Sequence, residues 1–328
     1  MTALVSAEGV SRSFAARGWF ASGRPIQAVS EVSLAIGRGE ALGLVGESGS
    51  GKSTIGRLLL GLLKPTAGRV LLDGVDLATL RGPALRTARR RMQLVFQDPY
   101  GSLDPRRRVG GQIADGLAIH GIVKRAERRD RVEALLAQVG LPSAHADRYP
   151  HEFSGGQRQR VAIARALATE PDMLVADEPV SALDVSVQAQ VLALLADLRG
   201  RLGLGLLFIS HDLAVVRSLC DQVIVLYLGR VMERGPAADV LREPRHPYTR
   251  ALLSAAPGID AARRRTRLLL HGDPPSPSDP PSGCVFRTRC PFVLPECAAA
   301  RPALRPAGPG HDFACIRDDI ADALPKAA

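Results

Sequence analysis

The chain has 328 residues, 46% of them hydrophobic and 23% charged, a balance typical of a globular protein with room for about two domains. No run of about 18 apolar residues occurs, which excludes a membrane-spanning helix, and the N-terminus lacks the layout of a signal peptide. Arginine carries almost all of the net charge of +10, but it is dispersed and few aromatic residues interleave with it, which disfavours nucleic-acid binding. We therefore expect a cytoplasmic protein that reaches a membrane only through another chain.

Apolar strands and amphipathic helices follow one another along the chain. AVSEVSLAI (28–36) alternates in polarity like a half-buried strand, and ALGLV (41–45) is a short, fully apolar strand. MLVAD (173–177) and LLFIS (206–210) repeat the apolar pattern, and SVQAQVLALLADLRGRLG (186–203) between them has the period of a crossover helix. Strands that alternate with helices predict βαβ units and a largely parallel sheet, and hence an α/β fold.

Three segments depart from this pattern. GRVLLDGVDL predicts an antiparallel hairpin, and the segment from about 98 to 168 predicts a helical subdomain inserted into the α/β core. GDPPSPSDPPSG is too rich in proline and serine for a regular element and predicts a linker, followed by a small tail that contains four cysteines. The predicted domains are an α/β nucleotide-binding domain over 1–257 and a linker with a C-terminal extension over 258–328.

A glycine-rich loop lies between the strand ALGLV and a helix pattern. It reads GESGSGKST, a complete G-x-x-x-x-G-K-[ST] motif in the strand-to-helix context that the motif requires. Such glycines let backbone N–H groups turn toward phosphate oxygens, and the helix adds its positive N-terminal end. We expect Lys52 to reach the β- and γ-phosphates and Ser53 to ligate Mg²⁺. The predicted nucleotide-binding residues of this loop are Gly46, Glu47, Ser48, Gly49, Ser50, Gly51, Lys52, Ser53 and Thr54.

Two carboxylates stand at the end of the buried strand MLVAD. Asp177 is expected to hold the Mg²⁺ shell, and Glu178 to orient and polarise the attacking water. An apolar strand that ends in Asp-Glu is a weak signal alone, but here it lies downstream of a phosphate loop. No N-K-x-D guanine-reading motif occurs in the sequence, which disfavours a GTPase. The pattern therefore predicts ATP hydrolysis.

Between these motifs stands FSGGQRQRVAIARAL, which resembles the signature of ABC ATPases, with Phe153 in place of leucine. Such a turn at the head of a helix is an anion-binding site. The resemblance implies a P-loop NTPase (RecA-like) ABC core with an antiparallel β subdomain and an inserted helical subdomain. It also implies a head-to-tail dimer in which this turn completes the partner's ATP site. The predicted nucleotide-binding residues of the turn are Ser154, Gly155, Gly156 and Gln157.

The resemblance assigns further residues by their order in the chain. Gln97, in VFQDP, fits the glutamine that senses the γ-phosphate and takes part in Mg²⁺ binding with Ser53 and Asp177. His211, after LLFIS, fits the switch histidine, so the predicted catalytic residues are Glu178, His211 and Gln97.

Two residues complete the predicted nucleotide site. Asp184, in the segment Ser181 to Asp184, fits the loop that crosses the dimer interface. Phe14 is assigned to stacking on the adenine, and Trp19 is the alternative.

Over its whole length the chain resembles the ATP-binding subunits of dipeptide and oligopeptide importers. HPYT (246–249) marks the start of the C-terminal extension of this family, and GCVFRTRCPFVLPEC with ACIR matches the rest. The resemblance implies a subunit at the cytoplasmic face of the membrane, with two transmembrane permease subunits, a sister ATPase in a heterodimer, and an extracytoplasmic solute-binding protein as an indirect partner.

Other ABC functions remain alternatives. Nickel and glutathione importers share this layout, so the solute is open. The more distant alternatives are an exporter ATPase and an ABC ATPase that acts on nucleic acid. The basic charge is the only support for the latter, so we expect no nucleic-acid partner.

Four cysteines crowd the tail in the spacing C-x5-C-x6-C-x17-C. Four thiolates suit zinc or a [4Fe–4S] cluster, but structural zinc sites commonly use closer pairs of ligands. Family members with such a tail resemble iron–sulfur proteins, so a [4Fe–4S] cluster is the favoured prediction; zinc, free thiols and disulfides are the alternatives. The fifth cysteine, Cys220, is expected to pack in an apolar helix. The predicted cluster ligands are Cys284, Cys290, Cys297 and Cys315.

Overall fold

The computed structural model describes residues 3–15, 24–255, 268, 270 and 272–321, so Trp19 lies outside the described residues. The chain divides into two compact units. Unit one comprises Met1–Val5, Ala35–Glu40 and Leu71–Ile209, and unit two comprises Ser6–Leu34, Ala41–Val70 and Ser210–Ala328. The predicted boundary between 257 and 258 falls outside the described residues, and the domain limits stay a prediction.

Unit one contains a parallel sheet and most of the helices. Its strands are β5 (Val75–Asp76), β6 (Met92–Val95), β7 (Met173–Asp177) and β8 (Gly205–Ile209). Its helices are α2 (Gly82–Arg90), α3 (Pro99–Ser102), α4 (Val109–His120), α5 (Arg128–Gln138), α6 (Gly155–Leu167) and α7 (Val185–Leu202).

The parallel sheet of unit one holds the end of β7 in a fixed place. β7 pairs with β6 on one side and with β8 on the other, with Val175 opposite Leu94 and Leu207. All four apolar residues of β7 are at most 1% exposed, which explains the uninterrupted run of hydrophobic residues in the sequence. Its carboxylate-bearing end therefore follows four buried residues.

Helices α3 to α6 form the helical part of unit one. Helices α4, α5 and α6 contact each other, and they carry the buried residues Ile113, Leu117, Leu136 and Ile163. Apolar residues on α5 recur at helical spacing, with Val132, Leu135 and Leu136 on its buried face. The packed helices hold the start of α6, where the signature residues lie.

Unit two contains the phosphate loop and the C-terminal part of the chain. Its strands are β1 (Val5–Phe14), β2 (Ile26–Ile36), β3 (Ala41–Val45), β4 (Ala67–Leu72), β9 (Gln222–Tyr227), β10 (Arg230–Pro236), β11 (Arg305–Gly308) and β12 (His311–Phe313), where β1, β2 and β4 have their ends in unit one. Its helices are α1 (Lys52–Leu59), α8 (Leu213–Leu219), α9 (Ala237–Arg242) and α10 (Pro247–Ala255).

The sheet of unit two joins the strand before the phosphate loop to the C-terminal tail. β3 pairs with β9 in parallel, and β9 forms an antiparallel hairpin with β10. β12 then pairs antiparallel with β10, and β11 with β12. The cysteine-bearing tail is therefore an integral part of this unit.

A second sheet in unit two contains β2, β1 and β4 as neighbours, and β4 continues into an antiparallel hairpin with β5. Within the described residues, no helix is long and apolar enough to span a bilayer.

The prediction of a [4Fe–4S] cluster in the tail is wrong. Within the part of the chain that the structure describes, no group of three or more His, Cys, Asp or Glu residues is arranged to hold a metal ion, which also leaves the zinc alternative without support. The four tail cysteines are free thiols. Burial raises the pKa of Cys290 to about 12 and also raises the pKa of Cys284 and Cys315, so the tail favours neutral thiols over the thiolates that bind metals.

Packing and hydrogen bonds organise the tail instead. The Cys284 backbone N–H donates to the Cys297 carbonyl oxygen at 2.8 Å. Phe286 is fully buried, and its ring lies 5.3 Å from the ring centroids of both Tyr227 and Tyr248. This aromatic cluster, Tyr227, Tyr248 and Phe286, is the local core around which the tail folds.

Candidate functional site

The phosphate loop follows β3 and leads into α1, and glycine is required at two of its positions. Gly46 and Gly51 have φ angles of 146° and 102°, which are left-handed values that favour glycine. A Cβ atom at Gly46 would lie 2.2 Å from the carbonyl oxygen of Leu226, and one at Gly51 would lie 2.3 Å from that of Ala28. The loop is therefore a glycine cradle pressed against two neighbouring backbones.

Lys52 lies at the centre of the loop as the first residue of α1. Its side chain is buried, at 6% exposure, and its Nζ donates to the carbonyl oxygens of Gly46 at 2.7 Å and Glu47 at 2.9 Å. A buried ammonium is costly unless it has hydrogen-bond partners, and here the loop itself provides acceptors. The arrangement places a positive charge inside the glycine cradle.

Glu47 joins the loop to the C-terminal part of the chain. Its carboxylate accepts two hydrogen bonds from Arg289, and its backbone N–H donates to the hydroxyl oxygen of Tyr248 at 2.8 Å. Reasoning from the sequence missed both partners. The only available signal was Tyr248 in the HPYT motif, because Arg289 lies 242 residues beyond Glu47.

In unit one the structure brings together Gln97 and Glu178, which were assigned separately from the sequence. Gln97 Nε2 donates to Glu178 Oε2 at 3.0 Å. Glu178 directly follows β7, and its φ of 47° is unusual for a residue that carries a side chain. Its backbone N–H donates to the Ile209 carbonyl oxygen at 2.9 Å, which fixes this conformation at the strand end. The glutamate is thus held by the sheet and by an amide side chain.

The signature turn caps helix α6. The Ser154 hydroxyl accepts from the Gln157 N–H at 3.3 Å, and the Gln157 side-chain oxygen accepts from the Ser154 N–H at 3.0 Å, a reciprocal capping box. A Cβ atom at Gly156 would lie 2.2 Å from Val187 Cγ1, so α7 can approach only because this residue has no side chain. Phe153 is buried against His145, which explains how it fills the position of the usual leucine.

The remaining predicted residues occupy turns and element ends. Asp184 is the N-cap of α7 and is exposed. His211 is exposed in the turn between Ser210 and Asp212, and the Asp212 carboxylate caps α8. Phe14 ends β1, and the guanidinium of Arg12 lies 4.7 Å from the centroid of its ring. Because Arg12 covers one face of this ring, only the opposite face is left for stacking.

Together, the glycine cradle with a buried lysine, the paired carboxylates at a strand end and the capped signature turn define the ATPase class of ABC proteins. The ABC transporter family model matches residues 29–181, and the model of the oligopeptide/dipeptide transporter C-terminal region matches residues 232–297. The chain belongs to the ABC transporter ATP-binding family, in the branch that carries this C-terminal region. It is an ATPase, which uses ATP with Mg²⁺, and the fold class predicted from the sequence is confirmed.

Individual relatives extend this similarity over nearly the whole chain. The chain is 56% identical over 319 residues to a putative peptide import ATP-binding protein of Brucella ovis, covering 97% of this chain and 99% of the relative. It is 48% identical over 303 residues to the dipeptide transport ATP-binding protein DppF of Escherichia coli, covering 92% and 90%.

Solved structures show the same fold. CbiO1 of Clostridium perfringens, part of the ABC transporter complex CbiONQ, matches with a TM-score of 0.64 and 30% identity, covering 74% of this chain and 92% of that one. The ATP-binding cassette MJ0796, a dimer with bound ADP and phosphate, matches with a TM-score of 0.63 and 33% identity, covering 71% and 98%.

Proposed function

We propose that this chain hydrolyses ATP to power the import of dipeptides or oligopeptides through a partner permease. The observation that carries the proposal is the 56% identity, over almost the full length of both chains, to a protein named as a peptide import ATP-binding protein. The tail supports it, because its matching family model is that of oligopeptide and dipeptide transporters. No observation favours nickel, glutathione or nucleic acid over peptide.

The phosphate loop fits a nucleotide polyphosphate. The glycine cradle packs directly against neighbouring backbone, and the buried Lys52 ammonium can exchange its bonds to loop carbonyls for bonds to the β- and γ-phosphates. Ser53, Gln97 and Asp177 would hold Mg²⁺, because hydroxyl, amide and carboxylate oxygens are the hard donors that this ion prefers. When bound, the ion would neutralise charge on the phosphates.

Glu178 is the residue we assign to the attacking water. Its carboxylate can accept a proton from the water or orient it, while the hydrogen bond from Gln97 keeps the carboxylate from rotating. His211 would contact the γ-phosphate, and Phe14 would stack on the adenine with the ring face that Arg12 leaves open. Each of these three roles is exerted only when a nucleotide is bound.

The signature turn acts on a neighbouring subunit. Ser154, Gly155, Gly156 and Gln157 stand at the positive N-terminal end of a thirteen-residue helix, which suits the γ-phosphate of a nucleotide held by another ATPase. Asp184 would cross the same interface. We infer a sister ATPase in a heterodimer, two transmembrane permease subunits, and a solute-binding protein that delivers peptide from outside. The chain would then sit at the cytoplasmic face of the membrane.

Reconstitution tests this function. The chain is purified with the permeases and the ATPase encoded beside it and inserted into vesicles, and uptake of labelled dipeptides, oligopeptides, nickel and glutathione is measured with ATP on the side of the ATPases. We expect ATP-dependent uptake of peptide that is lost with Lys52→Ala. Uptake of nickel or glutathione without peptide would reassign the solute, and ATP-independent uptake would refute the coupling.

A further inference from the structure

An ion pair links the phosphate loop to the cysteine tail. Arg289 Nη1 donates to Glu47 Oε2 at 2.6 Å, and Nη2 donates to Oε1 at 3.1 Å, so both oxygens of the carboxylate are engaged in a fork. Paired bonds of this kind fix orientation as well as distance. Arg289, a residue of the tail, therefore fixes the position of the Glu47 side chain in the phosphate loop.

Burial makes this pair different from the exposed ion pairs of the molecule. The Arg289 side chain is 7% exposed and that of Glu47 is 26% exposed. Burial, the largest single influence, lowers the pKa of the Arg289 guanidinium, but the hydrogen bonds and charge interactions with Glu47 and Tyr227 together raise it. Within the described residues, Arg289 Nε is buried without a hydrogen-bond partner, and both Nη atoms donate to Glu47.

The aromatic cluster holds both ends of the pair. Tyr248 accepts a hydrogen bond from the Glu47 N–H, and the hydroxyl of Tyr227 lies 3.4 Å from Arg289 Nη1. Tyr227 and Tyr248 pack edge to face, with ring centroids 4.8 Å apart. Tyr248 thus contacts Glu47, and Tyr227 contacts Arg289; neither tyrosine is among the residues assigned to hydrolysis.

We propose that Arg289 is a positioning residue for ATP binding, which fixes Glu47 away from the phosphates and cancels its charge. The inference rests on the proposed role of the loop in holding ATP. A carboxylate within the loop would repel a polyphosphate that carries several negative charges, and the low polarity of its surroundings would strengthen that repulsion. Arg289 offsets this charge of Glu47 and so weakens the repulsion.

The test compares variants that remove a charge from the Arg289–Glu47 pair with a variant that keeps both charges. Four variants of the full chain are compared with the unaltered protein: Arg289→Gln, Glu47→Gln, both together, and Arg289→Lys. Arg287→Gln is the matched control, because Arg287 lies in the same segment and its guanidinium donates to Ser282, which is not a residue of the loop. ATP affinity is measured by titration with Mg-ATP, KM and kcat in the assembled transporter, and folding by thermal melting.

We expect Arg289→Gln to weaken ATP binding about tenfold and to raise KM by a similar factor, with kcat at saturating ATP changed less than KM, because the lost interaction acts on binding. The double variant, in which neither charge remains, should return to within about threefold of the unaltered affinity, and Arg289→Lys should lie between. Arg287→Gln should bind ATP normally.

Three results would overturn the proposal: normal ATP affinity in Arg289→Gln, an affinity in the double variant no better than in Arg289→Gln, or an equal loss in Arg287→Gln. If Arg289→Gln does not fold, the ATP affinities of the double variant and of Arg289→Lys test the proposal. Neither of these variants leaves the Glu47 carboxylate without a positive partner. Lys52→Ala tests the underlying function separately. Normal ATP binding in that variant would refute the role of the loop, whatever Arg289 does.

Discussion

Gln97 and Glu178 are joined by a hydrogen bond of 3.0 Å, although 81 residues separate them in the sequence. Gln97 follows β6, and Glu178 follows the neighbouring strand β7, so the bond spans the ends of two parallel strands. The residue assigned to the γ-phosphate therefore also orients the residue assigned to the attacking water. Loss of the amide should disturb hydrolysis before it disturbs binding.

Gln97→Ala should lower kcat about tenfold to a hundredfold, a larger factor than its loss of ATP affinity, because a freely rotating carboxylate orients water poorly. The measurement is steady-state hydrolysis together with nucleotide titration. Gln93→Ala is the control, since the Gln93 amide donates only to the backbone of α2. An equal loss of kcat in both variants would show that the strand, and not the Gln97–Glu178 bond, is responsible.

Glu178→Gln should abolish turnover, with kcat falling by at least about a hundredfold, while ATP still binds, because the amide cannot accept a proton from the attacking water. Single-turnover hydrolysis and equilibrium binding of labelled ATP measure the two effects. Glu133→Gln serves as the control, because Glu133 lies on α5 in a partly exposed pair with Arg129. Undiminished hydrolysis by Glu178→Gln would refute the assignment.

Gly156→Ala should destabilise the protein by about 1–3 kcal/mol, because the new methyl group would overlap Val187 and force α6 and α7 apart. Gly200→Ala is its counterpart, a helical glycine of α7 with open space around it, and should stabilise the fold by about 0.5–1 kcal/mol. Chemical denaturation measures both. Equal stabilities for the two variants would contradict the contact between α6 and Val187.

Acid should destabilise the fold through His246. Burial lowers the pKa of His246 to about 4, against the attraction of the nearby Glu233, while an unfolded chain has a histidine pKa of about 6.5. Between these values the unfolded state binds the extra proton, so stability falls as the pH falls from about 6.5 to 4, by up to about 1.4 kcal/mol per pH unit.

The measurement is the free energy of unfolding as a function of pH, for the unaltered protein and for His246→Asn. The asparagine can still accept the hydrogen bond that the Tyr248 N–H donates to His246 Nδ1 at 3.1 Å, but it does not titrate. We expect a shallower slope below pH 6.5 in the variant. Parallel curves would assign the acid sensitivity to other groups.

Features that depend on neighbouring residues in the sequence were predictable. The run of apolar residues in β7 reflects the burial of that strand. The glycines of the phosphate loop reflect its left-handed backbone. The family and the α/β fold followed from these motifs and are confirmed. The individual roles of Gln97, His211, Asp184 and Phe14 stay predictions, because they depend on bound nucleotide or on another subunit.

Features that depend on distant contacts were not predictable. The fork between Arg289 and Glu47 crosses 242 residues, and no local pattern distinguishes Arg289 from the other arginines of the tail. The cluster prediction failed for a related reason. Cysteine spacing gives the separation of the thiols along the chain, but it does not show how they are arranged in space, and no group of the described residues is arranged to hold a metal ion.

The pairing of β12 with β10 has a consequence for association. Without the tail, β10 would present a row of unpaired backbone groups, which is a template for aggregation. The tail covers that edge with β12 and ends the sheet at β11, a strand of four residues that contains Pro306. Proline has no N–H to donate, so this final strand is a poor template for another chain. The tail thereby replaces the edge of β10 by a short strand that contains proline.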